Sequence, residues 1–544
     1  MEFNHADLFE GFADTIGDRV AVVCGDERMT YAELDAQANR LAHHLAANGV
    51  RPGRHVGIQL YNGLEYITAL LAALKIRAVP INVNYRYVEA ELVYLYRDSD
   101  IVALVFDVEF DARVAAARRE APALRHLIAV GGDSAVPEAV PYGQALDGQP
   151  ATRGFEPRTG EDVYIIYTGG TTGMPKGVMW RVEDLFIAFG GGNPYGAPLA
   201  TPEAVIEQAR AASPIVMMAA PPLMHGAAQM GTFLCWCMGS TMVYVRRFDP
   251  VAVLRAIERE RVVSVNITGD AMARPLAEEI ATGSYDLSSL VVVSSTGAIL
   301  SGSVRARLQE LLPNSMITDS FGSTESGFTA SGVAGSSPEA GLKYQPNAHA
   351  GIAVLDDKLR PVEPGSEIMG MVARSGHIAF GYYNDPDKTA RTFVTDGDGT
   401  KWLLTGDLAM VEEDGTIRMF GRGSQCINTG GEKVFPEEVE AVLKGHPSVF
   451  DAVVTGIPDE RWGSRVAAVV QPYEGTAPTW EELDAHCRAR LSGYKVPRAY
   501  AFVDEVMRSP AGKADYRWAK EVAQSATPQS ATPSPRDHAE VRDQ

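Results

Sequence analysis

The sequence predicts an α/β fold in two parts: a large N-terminal domain of parallel-rich sheets with helices plus a β-rich subdomain, and a small α+β C-terminal domain. Three observations carry that prediction. The chain has 544 residues, well beyond the ~250–300 at which a single core stops growing. Short apolar runs alternate with segments of helical period from Thr30 to Asp319, the pattern of parallel sheets faced by helices. The texture then shifts twice, to short strands between Gly, Pro and Asp turns over 350–420 and to mixed helices and strands from 423. The expected domains are therefore 1–422, with the β-rich part at 350–420, then 423–522, leaving 523–544 as a tail.

The elements follow in order. Thr30 caps a helix that repeats apolar positions to Leu45, and Asn48-Gly49 closes it. Residues 55–60 read as a buried strand, 65–74 as a helix and 78–83 as the next strand. A further apolar β-type run lies at 163–166. Residues 181–214 read as an insertion, with a Gly190-Gly-Gly-Asn-Pro194 turn cluster and a helix over 202–212. Strand-like runs resume at 215–218, 241–245, 262–265, 290–294 and 316–319. The C-terminal part holds a helix at 436–443, strands at 449–457 and 465–471, and a helix at 480–491. Nothing repeats at a solenoid period. The last stretch contains Gln524-Ser-Ala-Thr-Pro528 followed directly by Gln529-Ser-Ala-Thr-Pro533. Its Ser, Thr, Pro and Gln content cannot bury a core, which predicts disorder over 523–544.

Composition narrows the class. Hydrophobic residues make up 46% and charged residues 22%, a globular mix, and the formal net charge is -20. That charge argues against nucleic acid, whose phosphates demand basic patches, and against an electrostatic membrane anchor. No apolar run reaches the ~18–20 residues of a membrane span. The start, Met1-Glu-Phe-Asn-His-Ala-Asp7, lacks the basic and apolar regions of a signal peptide. Five cysteines are few, and only Cys235 and Cys237 lie close together, so all are read as reduced. A soluble, cytoplasmic protein is expected.

The most informative segment is Tyr167-Thr-Gly-Gly-Thr-Thr-Gly-Met-Pro-Lys-Gly-Val178. Glycines let a backbone approach a ligand and turn its N–H groups toward it. Thr168, Thr171 and Thr172 add hydroxyl donors, and Lys176 adds a point charge. That is the chemistry of a polyphosphate loop, although it is not a Walker A sequence, since Pro175 precedes the lysine and Gly177 follows it.

This motif resembles the signature loop of the adenylate-forming superfamily, which includes acyl-CoA synthetases, adenylation domains of peptide synthetases and luciferases. Six further segments match that superfamily in order, and the likeness spans about Thr30 to Lys520. Pro221-Pro-Leu-Met-His225-Gly226 matches the motif whose aromatic or His side chain lines the junction of carboxylate pocket and thiol channel. Ser295-Thr-Gly297-Ala298 matches the adenine-holding segment, with Thr296 in place of a glycine. Asp319-Ser-Phe321-Gly322-Ser-Thr324-Glu325 follows a strand, where open α/β sheets bind ligands. Glu325 offers a hard oxygen to Mg²⁺, Thr324 a hydroxyl to phosphate, and Phe321 stands where relatives carry Tyr against adenine. Thr405-Gly-Asp407 and Arg422 match the ribose contacts. Ser424 matches the pivot of a mobile C-terminal domain, where Asp or Lys is usual, and Gln425 replaces a common acidic residue. Gly430 and Gly431 match the turn that meets the CoA arm. Met507-Arg-Ser-Pro-Ala-Gly512-Lys513 matches the terminal lysine motif, with Met507 in place of proline.

The resemblance implies binding of ATP through Thr168, Gly169, Gly170, Thr171, Thr172, Gly173, Lys176, Gly297, Ala298, Phe321, Gly322, Asp407 and Arg422. It implies catalysis by Lys513, Glu325, Thr324 and His225, with Mg²⁺ on Glu325 and CoA as co-substrate. Detail in 168–180, 265–270 and 509–516 is most similar to actinobacterial fatty-acid and steroid-side-chain CoA synthetases. From position, Gly226, Met230, Asn266 and Asp270 are the expected acyl-pocket walls, beside His225. Asn266 and Asp270 are polar for an alkyl tunnel, which points to an aromatic or functionalised acid or, equally, to a simple polar turn after the 262–265 strand. Two other readings stay open: a diazotase of the same superfamily that activates nitrite for an aromatic amine, and acyl transfer to a carrier-protein thiol. A non-catalytic nucleotide-binding protein is the remaining class. Oligomeric state is not legible, although homodimers are common among relatives.

Overall fold

The computed structural model describes residues 2–170, 173–193, 196–332, 342–429, 432–459, 462–508 and 512–525. The chain divides into two compact units, Met1–Phe420 with Arg508–Lys513, and Gly421–Met507 with Ala514–Gln544.

Among the described residues, the first unit is built on two large sheets. In the eight-stranded sheet, His55–Gln59 lies between Val79–Asn82 and Ile101–Asp107, parallel to both. His55–Gln59 and Val79–Asn82 are buried throughout, as expected of strands covered on both faces. The helices Tyr31–Ala47 and Leu64–Lys75 pack on each other. The first of these begins with a reciprocal cap: Glu33 N–H donates to Thr30 Oγ1 at 3.2 Å and Thr30 N–H to Glu33 Oε2 at 2.8 Å. The fourteen-stranded sheet has a parallel half, in which Val20–Cys24, Thr241–Tyr244, Val216–Ala219, Ser264–Ile267, Val292–Ser295 and Met316–Ser323 are successive neighbours. It continues antiparallel through Gly327–Gly332 and Leu342–Pro346 into the β-rich region. The predicted α/β architecture with a β-rich subdomain is thus the observed one.

The helix His5–Ile16 is fixed to this unit by ionic contacts. The Lys75 ammonium is fully buried, 2.7 Å from Glu10 and 2.6 Å from Asp35. Arg158 bridges Asp7 at 2.5 Å and Glu10 at 2.7 Å. Arg153 reaches Asp35 at 3.0 Å and Asp14 at 2.8 Å.

In the second unit, Val449–Asp459 and Gly463–Pro472 pair antiparallel, and Ala499–Phe502 adds a parallel neighbour. The helices Pro436–Lys444 and Trp480–Arg488 pack on each other. A last helix, Tyr516–Ser525, runs three residues into the segment expected to be disordered. Ala519 and Ala523, four apart, are both buried, and that apolar stripe carries the helix past the predicted boundary. Residues 526–544 lie outside the described residues. No helix among the described residues is long and apolar enough to cross a membrane.

Candidate active site

The glycine- and threonine-rich segment is the end of a β-hairpin rather than a loop after a strand. Val163–Gly170 pairs antiparallel with Gly173–Arg181, placing Thr168 opposite Lys176 and Gly170 opposite Gly173. Thr171 and Thr172 lie outside the described residues. Gly177 has no room for a side chain, since a Cβ would sit 2.8 Å from the Tyr167 ring opposite it. Lys176 is half-buried, 3.1 Å from the Asp385 carboxylate and 3.3 Å from the Tyr94 hydroxyl. Burial opposes its charge, but those two partners more than compensate and raise its pKa.

Asn82 holds the hairpin to its surroundings. It is buried at the end of Val79–Asn82. Its Oδ1 accepts from Tyr167 N–H at 2.7 Å, and its Nδ2 donates to Tyr167 O at 2.8 Å and Met224 O at 2.6 Å. One side chain thereby ties the hairpin to the turn that carries His225. His225 precedes the helix Gly226–Cys237, and a Cβ on Gly226 would lie 3.2 Å from Ile166 of the hairpin. The His225 Nε2 is buried without a hydrogen-bond partner. Burial first, then the positive charges of Lys513 and Arg86, lower its pKa to about 3.

Thr324 and Glu325 sit in the turn between Met316–Ser323 and Gly327–Gly332. Trp180 of the hairpin donates through Nε1 to Thr324 O at 2.9 Å. Tyr382 donates its hydroxyl to Glu325 Oε1 at 2.8 Å. Tyr382 pairs with Val178, so a two-residue strand, Gly381–Tyr382, links the hairpin to the acidic turn. Arg374 is buried beneath that turn and donates to the carbonyls of Ser326 and Phe328, the latter at 2.9 Å. Burial lowers its pKa to about 10. Phe321 lies at a strand irregularity, its ring tilted against Tyr344 with centroids 5.9 Å apart. A Cβ on Gly322 would meet Gly327 O at 2.2 Å.

Gly297 and Ala298 follow Val292–Ser295, and Gly297 is exposed. The Ser295 hydroxyl, just before them, accepts from Gly269 N–H at 3.0 Å. The Thr405–Asp407 motif is a β-bulge: Met371 opposes Leu408 and Ala373 opposes Leu404, so three residues face Val372 alone. Asp407 is buried. Gly512 is buried in the first unit, where a Cβ would lie 2.9 Å from Ala271, and Lys513 beside it is exposed. Arg422 and Ser424 belong to the second unit, Ser424 in the 3₁₀ turn Gly423–Gln425. Gly430 and Gly431 lie outside the described residues.

The four expected pocket residues have different settings. Gly226 backs onto the hairpin. Asn266 is half-buried, with Nδ2 donating to Ser294 Oγ at 3.1 Å and Oδ1 buried without a partner. The buried Asp270 carboxylate accepts from Ser301 N–H at 2.7 Å, a bond that braces backbone. Met230 is buried and faces an apolar cavity farther along the Gly226–Cys237 helix. Asn82, Trp180, Arg374 and Tyr382 were absent from the sequence reading. Each acts through backbone carbonyls or another side chain, and single polar residues of that kind carry no motif.

The donor set suits a divalent cation shared with phosphate: Glu325 supplies one oriented carboxylate beside the hairpin. Among the described residues, no cluster of three or more His, Cys, Asp and Glu could hold a metal by itself.

The chain belongs to the AMP-binding enzyme family, whose pattern matches residues 9–383, with the AMP-binding enzyme C-terminal domain matching 438–513. A medium/long-chain-fatty-acid–CoA/3-oxocholest-4-en-26-oate–CoA ligase of Mycolicibacterium smegmatis is 46% identical, over 96% of this chain and 97% of its own length. A 3-oxocholest-4-en-26-oate–CoA ligase of Rhodococcus rhodochrous is 45% identical over 96% of both chains. The crystal structure of the anthranilate CoA ligase AuaEII in complex with anthranoyl-AMP shares the fold, with a TM-score of 0.83 at 24% identity, covering 96% of this chain and 98% of that one. Within its family the chain is an AMP-forming acid–thiol ligase, an acyl-CoA synthetase closely related to actinobacterial fatty-acid and steroid CoA ligases.

Proposed function

We propose that the acid is a medium- or long-chain apolar one, a fatty acid or a steroid bearing a carboxylated side chain. The observation that carries this is the near-full-length 46% identity to a ligase whose name states those substrates. The apolar helix Gly226–Cys237, which starts at His225 and buries nine of its twelve residues, supports it as a wall for such a chain.

The reaction has two halves. A carboxylate oxygen attacks the α-phosphorus of ATP and expels pyrophosphate; the CoA thiol then attacks the acyl carbonyl and releases AMP. The first half brings anion against anion, so positive charge and fixed donors lower its barrier. Lys513 supplies that charge at the α-phosphate, and Lys176 with the hairpin backbone, Thr168 and Gly169 included, cradles the outer phosphates. Thr171, Thr172, Gly170 and Gly173 complete that cradle. Thr324 donates to phosphate oxygens, and Glu325 would hold Mg²⁺, which when bound would supply positive charge against the phosphates. Gly297, Ala298, Phe321 and Gly322 receive adenine, and Asp407 and Arg422 the ribose. A neutral His225 lines the junction between acid and thiol. The second half needs other groups at the same adenylate, and rotation of the second unit about Ser424, carrying along the 508–513 segment that it holds at both ends, exchanges Lys513 for the Gly430–Gly431 turn.

The test is AMP release from ATP and Mg²⁺ with fatty, steroidal and aromatic acids, each with CoA, with nitrite and with neither. CoA-dependent turnover of the apolar acids is expected. Turnover confined to aromatic acids, or to nitrite with an aromatic amine, would overturn the proposed substrate.

A further inference from the structure

Two groups proposed for the phosphate end of ATP, Lys176 of the hairpin and Glu325 of the acidic turn, are joined by an unbroken run of polar contacts. Its middle is the short helix Pro386–Thr392 and the residue that caps it, Asp385. Asp385 Oδ1 accepts from Lys388 N–H at 3.0 Å, while Oδ2 lies 3.1 Å from Lys176 Nζ. The Asp385 carbonyl accepts from the Thr389 hydroxyl at 2.8 Å, and that hydroxyl oxygen accepts from Tyr382 N–H at 2.9 Å. Tyr382 ends the run by donating its own hydroxyl to Glu325 Oε1 at 2.8 Å. Gly381 leaves the room this needs, since a Cβ there would stand 2.9 Å from the Thr389 methyl.

The second partner of Lys176 is fixed to the same frame. Tyr94, whose hydroxyl is 3.3 Å from Nζ, stands on the helix Glu89–Asp98. Asn384, immediately before Asp385, takes a left-handed φ of 53° and donates Nδ2 to Asp98 O at 2.9 Å, at the end of that helix. An ammonium has three donors. Among the described residues, Asp385 and Tyr94 engage two of them, which leaves one for a phosphate oxygen. The Lys388 N–H first, then Lys176 against the cost of burial, hold the Asp385 carboxyl below its usual range, so it faces the lysine as a carboxylate. A lysine stem has much rotamer freedom to lose on binding, and a partner that fixes it beforehand removes that loss from the cost of taking the ligand.

We infer that Asp385 is a positioning residue for adenylation: it aims the remaining Lys176 donor at phosphate and, through Thr389 and Tyr382, couples that lysine to the Glu325 carboxylate, so that the two anchors of the polyphosphate act as one unit. This rests on the reading that Lys176 holds the outer phosphates and Glu325 the Mg²⁺, and it adds a residue that touches neither. Asp385 can aim the lysine because its first oxygen is committed to the helix cap, which stops the carboxylate from following Lys176 when the side chain moves.

The experiment measures binding of ATP at limiting Mg²⁺ by calorimetry on the full chain, with no acid present, so the result does not depend on the choice of acid. Asp385→Asn keeps the helix cap, since Asn and Asp serve equally there, and removes only the charge facing Lys176. It is expected to raise the Kd for ATP by ~5-fold, the upper end for a pair this exposed. Thioester formation from a supplied acyl adenylate should keep its rate, which a general loss of structure would not allow. Tyr382→Phe breaks the run at its other end, and the double variant should weaken binding by clearly less than the product of the two single factors, as residues of one network do. Factors that multiply, an unchanged Kd in Asp385→Asn, or a tighter one, which would make Asp385 a competitor of phosphate, each overturn the inference. Should Asp385→Asn fail to fold, Asp385→Ser, also a capping residue, decides by the same criteria. Lys176→Met separates the two levels: weakened binding there with none in Asp385→Asn overturns this inference alone. Wild-type affinity in Lys176→Met, or no ATP binding by the wild-type chain, overturns the underlying reading with it.

Discussion

The Asn82 side chain grips Tyr167 on both its backbone groups, accepting from N–H at 2.7 Å and donating to the carbonyl at 2.8 Å. Its second donation, to Met224 O at 2.6 Å, makes it the joint between the Val163–Arg181 hairpin and the turn before His225. Asn82→Ala strips three buried backbone groups of a partner, at ~1–3 kcal/mol each. The variant should lose ~3 kcal/mol or more of stability and show a raised KM for ATP. Asn82→Asp should be no better, since a carboxylate would then face two carbonyls. Urea unfolding with ATP kinetics checks both, and a wild-type KM in a folded Asn82→Ala protein would refute the joint.

Tyr382 orients the carboxylate proposed to hold Mg²⁺, through a 2.8 Å bond to Glu325 Oε1. Removing such an outer partner typically costs ~10–100-fold in metal affinity or activity. Tyr382→Phe should therefore raise the Mg²⁺ concentration for half-maximal adenylation by ~10-fold, with little change in rate at saturating Mg²⁺. A Mg²⁺ titration of AMP release reads this directly.

Lys513→Ala should cut adenylate formation by ~10²-fold or more, the scale of losing a principal electrostatic stabiliser. Thioester formation from a supplied acyl adenylate and CoA should survive. Equal loss in both half-reactions would sink the division of labour between the two orientations.

Ser424 lies in a one-turn 3₁₀ segment, Gly423–Gln425. Proline there fixes φ near −65° and removes a backbone donor. Ser424→Pro should spare adenylate formation and slow thioester formation, the reverse of the Lys513 result. Unchanged rates in both halves would place the pivot at another residue.

Acid sensitivity should come from buried imidazoles. His126 Nε2 lies 2.9 Å from His44 Nε2, and burial first, then His44, lowers the His126 pKa from 6.5 to about 4. A depressed folded-state pKa means the unfolded chain binds the extra proton, so stability is full above pH 6.5 and falls as pH drops toward 4. The slope per such group is ~1.4 kcal/mol per pH unit. His126→Gln should flatten the loss of stability across that window, as followed by denaturant midpoints at several pH values. An unchanged slope would place the proton uptake elsewhere, as at His5 or His225, each lowered to about 3.

The sequence revealed the fold wherever apolar runs were continuous. The fully buried His55–Gln59 and Val79–Asn82 strands are examples, as is the Thr30–Glu33 cap. The glycines and proline of 167–178 disfavour strand, so that segment reads as a loop where the structure pairs Val163–Gly170 with Gly173–Arg181. There the pairing is imposed from outside, by Asn82 on Tyr167 and by packing of the Tyr167 ring over Gly177. The Thr405–Asp407 bulge was hidden for a related reason: three residues facing one partner is a property of the pairing, not of either strand. The candidate residues on motifs could be proposed from the sequence because type and spacing single them out. Arg374 and Tyr382 were not, since a lone Arg or Tyr gains meaning only when folding sets it beneath a turn or against a carboxylate.

The fully buried Lys75 ammonium, clasped by Glu10 and Asp35, gives the first helix an unusual status. That helix already buries Phe9, Phe12 and four further residues, so the ion cluster is added to an apolar contact rather than standing in for one. Loss of either carboxylate would strand a cation in the interior, so the three charges form a latch whose parts can change only together.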